Sequence, residues 1–189
     1  MTCIIALAQD GSVYMGGDSA GVDVQTLAVH VRTDAKVFIT GEFIFGFTTS
    51  FRMGQLLQYS FTPPEHPPEK CTMAYMVTDF IDAIREVFSA KGFLTKLNEG
   101  EVGGDFLVGY RGKIYEIAND FQVGTMAVNY ASLGCGADFA QGVMFATSDM
   151  VSPESRITLA LDAAEYFSGG VTRPYKILKL PPLETTHRK

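Results

Sequence analysis

Met1-Thr2-Cys3-Ile4-Ile5-Ala6-Leu7-Ala8 opens the chain, and Gln9-Asp10-Gly11-Ser12, Val13-Tyr14-Met15 and Gly16-Gly17-Asp18-Ser19-Ala20-Gly21 follow. Residues 2–8 are β-prone, residues 9–12 are a turn signal, and residues 13–15 resume the strand, so the chain starts as a hairpin. A Gly-rich loop is expected to stop the second strand. Asp18 lies in that loop, at a strand end among small residues. An acid so placed can approach another side chain closely, although an Asp there also serves as an ordinary Asx-turn residue.

The same pattern recurs further on. Ala35-Lys36-Val37-Phe38-Ile39, the turn Thr40-Gly41-Glu42 and Phe43-Ile44-Phe45-Gly46-Phe47 read as a second hairpin. Asp105 to Tyr110, the turn 111–113 and Ile114 to Ala118 read as a third. These strands are apolar at nearly every position, which is the mark of strands covered on both faces. Thr48-Thr49-Ser50 offers a helix N-cap before Phe51 to Tyr59. A second helix is expected from about Met73 to Ala90, with an apolar stripe of Met76, Val77, Phe80, Ile81, Ile84, Val87 and Phe88. Gly92 ends it, and 93–103 read as a polar connection. Tyr130 to Leu133 is a short strand, and a helix follows from about Ala137 to Ala146. Ser152-Pro153 starts another helix that runs to Phe167, and Tyr175 to Leu180 is a last strand.

Hairpins demand antiparallel pairing, and strands buried on both faces demand helices outside them. A four-layer α+β arrangement, αββα, with two stacked antiparallel sheets between helices, meets both demands. The chain has 189 residues and no internal linker, so it reads as one domain over 1–189 with a polar tail at 181–189.

Composition narrows the function classes. Hydrophobic residues at 47% against 19% charged argue for a packed core rather than disorder. A net charge of −6 argues against a nucleic-acid partner. No apolar run is long enough for a transmembrane helix, and the N-terminus lacks the basic region of a signal peptide, so no membrane partner is expected. Cys3, Cys71 and Cys135 fit no zinc or disulfide spacing, and the expected compartment is the reducing cytoplasm. No phosphate-cradling or dinucleotide fingerprint occurs, so neither a cofactor nor a metal is expected.

Three further features can carry chemistry. Removal of Met1 before a small residue would give Thr2 a free α-amine. Its pKa of about 7.7–8.0 lets it take the proton of its own hydroxyl, although Thr2 could equally just begin a strand. Lys36 sits inside an apolar strand, where burial would lower its pKa, although an edge-strand Lys could keep its ammonium in solvent. Gly134-Cys135-Gly136 is a strand-to-helix turn that could offer N–H groups to an anion, or simply start a helix around a small buried Cys.

Together these pieces resemble the proteasome β-subunit and HslV peptidases, within the N-terminal nucleophile hydrolases. The resemblance is carried by Thr2-Cys3-Ile4-Ile5-Ala6, Gly16-Gly17-Asp18-Ser19, Ala35-Lys36-Val37-Phe38, Gly46-Phe47-Thr48-Thr49-Ser50, Leu133-Gly134-Cys135-Gly136-Ala137 and Glu165-Tyr166-Phe167-Ser168-Gly169-Gly170. It implies a threonine-type peptidase in which Thr2 is the nucleophile and forms an acyl-enzyme once Met1 is gone. By the same resemblance Asp18 pairs with Lys36, which lowers the proton affinity of the nucleophile. The Ser50 N–H stands at the oxyanion hole, and Cys135, Glu165 and Ser168 surround the Thr2 amine. The family usually has Gly at the position of Ser50, Ser at Cys135 and Asp at Glu165, and its Asp-to-Lys gap is two residues shorter. The resemblance further implies a peptide or polypeptide substrate, a homo-oligomeric ring and an ATP-dependent unfoldase as possible partner. A small-amide hydrolase on the same fold and a catalytically inactive ring-forming relative are the alternatives.

Overall fold

A computed structural model describes residues 1–23, 25–98, 100–149 and 152–183. The opening hairpin pairs β1 (Ile4–Gln9) with β2 (Ser12–Gly17) in register Ile4↔Gly17 and Ala6↔Met15. Asp10 and Gly11 between them both have positive φ, 50° and 73°, as a tight hairpin turn requires. The strand does not stop before Gly16-Gly17, as the sequence led one to expect, but runs through both. A Cβ at Gly16 would lie 2.4 Å from the Ile157 side chain, so Gly16 lets a helix pack directly on the strand, while Gly17 faces Ile4 and Val37 on the other side.

After β2 the chain forms a small ribbon of β3 (Ala20–Val22) and β4 (Val29–Val31). The second hairpin is β5 (Val37–Thr40) and β6 (Phe43–Phe47). Helix α1 (Phe51–Tyr59) follows, capped by Ser50, whose hydroxyl accepts from the N–H groups of Arg52 and Met53. The next helical run is α2 (Thr72–Tyr75), a π-helical turn at Met76–Phe80, and α3 (Ile81–Ala90). The wider π turn shifts the stripe, so Val77 is exposed while Met76, Phe80, Ile81, Ile84 and Phe88 are buried.

The polar stretch after Gly92 forms a second ribbon, β7 (Thr95–Leu97) with β8 (Gly100–Val102). The third hairpin is β9 (Phe106–Tyr110) and β10 (Lys113–Ile117), extended by the short β11 (Val123–Gly124). Then come β12 (Tyr130–Leu133), α4 (Ala137–Ala146), α5 (Pro153–Phe167) and β13 (Lys176–Leu180). Ser152 caps α5 with Pro153 in its first turn, as read from the sequence.

Two antiparallel sheets result, ordered β12-β1-β2-β13 and β11-β10-β9-β6-β5. The alternation of side chains along each strand divides the core. Ile4, Ala6, Val13, Met15, Ile44 and Leu107 fill the space between the sheets. Cys3, Ile5 and Leu7 turn the other way, onto α4 and α5. Phe43, Phe45, Phe47, Phe106 and Tyr110 turn toward α1, α2 and α3, where Phe80 and Phe88 join them. Each fully buried Phe contributes about 1.5–3 kcal/mol, so the doubly covered strands carry much of the stability. The four-layer α+β architecture is therefore present, and it brings the start of β1, the end of β2 and the end of β12 side by side.

Candidate active site

Thr2 lies two residues before β1 begins at Ile4, and it is held from both flanks. On the β12 side, the Gly136 N–H donates to the Thr2 carbonyl at 3.2 Å. The turn fits only because residue 134 is glycine: its φ is +97°, and a Cβ there would sit 2.2 Å from the Thr2 carbonyl oxygen. Gly134→Ala is therefore expected to lower stability by about 1–3 kcal/mol and to displace Thr2, which chemical denaturation and a loss of any Thr2-dependent activity would register. On the β2 side, the Cys3 N–H donates to Asp18 Oδ1 at 3.0 Å.

Asp18 is the hub. Its Oδ1 also accepts from Lys36 Nζ at 2.8 Å, and its Oδ2 accepts from the N–H groups of Ala20 at 2.8 Å and Thr172 at 3.3 Å. The Asp18 side chain is 0% exposed and that of Lys36 1%. Asp18 does close an Asx-turn through the Ala20 N–H, but it also binds Lys36 and two further N–H groups, and the burial of the pair excludes the solvent-exposed reading of Lys36. Burial pulls the Lys36 pKa below its usual value, against the opposing pull of the Asp18 carboxylate. Burial, reinforced by Asp18, pushes the Cys3 thiol up to about 12, so Cys3 is an inert core residue.

Cys135 is exposed rather than buried, and its Sγ stands at the joint of the site. It lies 3.3 Å from the Thr2 nitrogen, which donates to it, and 3.5 Å from the Thr2 carbonyl oxygen. The Ser168 hydroxyl donates to the same sulfur at 3.2 Å. Among the described residues nothing hydrogen-bonds the Thr2 hydroxyl. Thr2 lines a cleft of about 400 Å³ together with Met1, Lys36, Arg32, Phe47 and Ser50.

Ser50 thus shares the cleft with Thr2, but its groups are engaged. Its hydroxyl caps α1, which is a reason for Ser at this position. Its N–H donates to the Thr48 carbonyl at 2.6 Å across Thr49, whose φ is +63°. A β-branched residue in that region is strained. Among the described residues Glu165 makes its hydrogen bonds to the 172–175 segment and none to Thr2. Its Oε1 accepts from the Arg173 N–H at 2.8 Å and its Oε2 from the Tyr175 hydroxyl at 2.8 Å, with the Arg173 guanidinium 3.1 Å away. Burial raises the Glu165 pKa, but these hydrogen bonds and the Arg173 charge outweigh it and hold the carboxyl below its usual range.

Sequence reasoning missed the strap formed by residues 172–175. Thr172 donates to Asp18, the Ser19 N–H donates to the Thr172 carbonyl at 2.9 Å, and the Ser19 hydroxyl donates to the Pro174 carbonyl. The only local signal was the Gly169-Gly170 break followed by Pro174. Arg32 was also missed. Its pairing with Asp34 is made across a bend at residues 33–34, which leaves no periodicity in the sequence to announce it.

The two stacked sheets and their outer helices are the fold of the HslV/proteasome-like N-terminal nucleophile hydrolases. Thiobacillus denitrificans BPH, in a structure with epoxomicin, superposes with a TM-score of 0.76 at 18% identity, covering 96% of this chain and 100% of that one. HslV from Trypanosoma brucei gives 0.65 at 17% identity, covering 94% and 98%. Anbu, an ancestral β-subunit from Yersinia bercovieri, gives 0.64 at 12%, covering 95% and 82%. No family model matches the sequence, and no curated protein matches it. No helix among the described residues is long and apolar enough to cross a membrane.

Proposed function

We propose that this chain is an N-terminal-threonine peptidase that hydrolyses peptide bonds through an acyl-enzyme on Thr2 after Met1 is removed. The observation that carries this reading is the buried Asp18–Lys36 pair bonded to the residue next to Thr2, in a cleft that Thr2 lines. With Met1 gone, the Thr2 nitrogen becomes an α-amine beside Cys135 Sγ. That amine accepts the hydroxyl proton as Oγ attacks the scissile carbonyl, and later returns it to the leaving amine. The Lys36 ammonium stabilises the developing alkoxide electrostatically from its buried position, while Asp18 holds it in place. Cys135 and Ser168 orient the amine.

Glu165 acts as a positioning residue. It orders Arg173 and Tyr175, and so the strap whose Thr172 N–H binds Asp18. The oxyanion role of Ser50 requires its N–H to leave the Thr48 carbonyl, and the strained Thr49 is where the backbone would turn. The engaged Ser50 N–H is also the observation that favours the second reading, a ring-forming relative without activity. A small-amide hydrolase remains the alternative chemistry for the same nucleophile.

Comparison with BPH suggests epoxomicin as an active-site probe for this chain. A homo-oligomeric ring, a peptide or polypeptide substrate, an ATP-dependent unfoldase partner and a cytoplasmic location complete the proposal. It is tested by assaying a panel of fluorogenic peptides with Met1-free protein, with and without epoxomicin. Turnover blocked by epoxomicin is expected. Hydrolysis of small amides alone would favour the amidohydrolase, and no hydrolysis at all would favour the inactive relative.

A further inference from the structure

The cleft beside Thr2 contains a cation that the proposed mechanism does not use. Lys36 is committed to Asp18, but Arg32 lines the cleft from the end of the β3–β4 ribbon. Its guanidinium is built into place from three sides. The carbon Cζ lies 3.8 Å from the centroid of the Phe51 ring. Nε and Nη2 donate to the two carboxylate oxygens of Asp34 at 2.8 and 2.6 Å. The stem lies against Gly21, where a Cβ would come within 2.6 Å of Arg32 Cδ.

The backbone is fixed as well, because the Arg32 N–H donates to the Ser19 carbonyl at 2.8 Å. Asp34 takes one edge of the guanidinium, and Nη1 has no partner among the described residues. Asp23 also lines the cleft, and the N–H groups of Gln25 and Thr26 hold its Oδ1 at 2.9 and 2.8 Å, turning that oxygen toward its own loop. Val22, Phe47 and Phe51 supply apolar wall to the cleft, beside His30, Thr48 and Thr49. A planar fork held rigidly above an apolar floor suits a carboxylate on a short aliphatic stem.

We propose that Arg32 is a specificity-determining residue that selects peptides with an acidic side chain, Glu or Asp, at the residue seated in this cleft next to the attacked bond. The inference rests on the peptidase reading for its role in turnover, but not for the binding itself. Holding the guanidinium in advance lowers the ordering cost of recognition. Because the site opens to solvent, the preference is moderate and weakens with salt.

The test uses Met1-free full-length protein carrying Thr2→Ala and two fluorescent peptides that differ only in Glu or Gln at the seated residue. Anisotropy is expected to show the Glu peptide bound about tenfold more tightly at low salt. Adding Arg32→Met, which keeps the stem and removes the charge, is expected to reduce that ratio to about one, and raised salt is expected to narrow it in the parent. Equal binding of the two peptides, or a preference that Arg32→Met leaves unchanged, overturns the proposal. Glu-selective binding combined with no hydrolysis by protein that retains Thr2 would leave the recognition role standing and remove the peptidase reading.

Discussion

Thr2→Ala, prepared without Met1, is expected to lose peptide hydrolysis by roughly 10³-fold or more relative to the Thr2 protein. The substitution removes the atom that would form the acyl bond and leaves the surroundings intact. The Thr2 carbonyl still accepts from Gly136, and the neighbouring Cys3 N–H still donates to Asp18. Because nothing among the described residues bonds the Thr2 hydroxyl, its removal should change stability by only about 1 kcal/mol or less. A large loss of rate with an unshifted unfolding midpoint thus separates a nucleophile from a packing residue. Thr2→Ser should retain measurable hydrolysis, since it keeps a hydroxyl beside the amine. Full hydrolysis by Thr2→Ala would place the chemistry elsewhere.

Lys36→Met tests the other half of the site, and here stability and activity should fall together. The ammonium is buried with the Asp18 carboxylate 2.8 Å away, and the thioether cannot replace that contact. Leaving a buried carboxylate without its counter-charge costs about 3–5 kcal/mol. Three backbone N–H groups, from Cys3, Ala20 and Thr172, remain on Asp18, so the lower end of that range is expected. Urea unfolding should show the loss directly. At denaturant concentrations where the variant stays folded, hydrolysis should still be reduced by about 10²-fold or more, because the electrostatic support of the alkoxide is gone. A stable variant with unchanged turnover would show that the pair is dispensable.

Much of this arrangement is legible in the amino-acid sequence, for identifiable reasons. Strands such as Phe43–Phe47 are apolar at every position, so they announce two covered faces and hence four layers. Thr2, Asp18 and Lys36 stand at strand ends or starts among small or apolar neighbours, where unusual polarity is conspicuous. The two ribbons at β3–β4 and β7–β8 were not legible, because each strand has three residues and no sustained periodicity.

The placement of Glu165 was not legible either. The family resemblance put it beside the Thr2 amine, but its position opposite Arg173 and Tyr175 depends on where the 172–175 strap meets Asp18 and Ser19. Thr49 is the plainest case. A β-branched residue gives no signal for positive φ, yet that angle directs the Ser50 N–H to the Thr48 carbonyl. Arg32 became visible only when the fold set it in the same cleft as Thr2.

The most direct test of Thr2 as an N-terminal nucleophile is mass spectrometry of the purified protein, intact and after labelling with an electrophile selective for N-terminal Thr. The expected result is complete absence of Met1 and a single adduct that maps to Thr2. Retention of Met1 on every molecule, or an adduct confined to Cys135, would show that Thr2 is not the nucleophile.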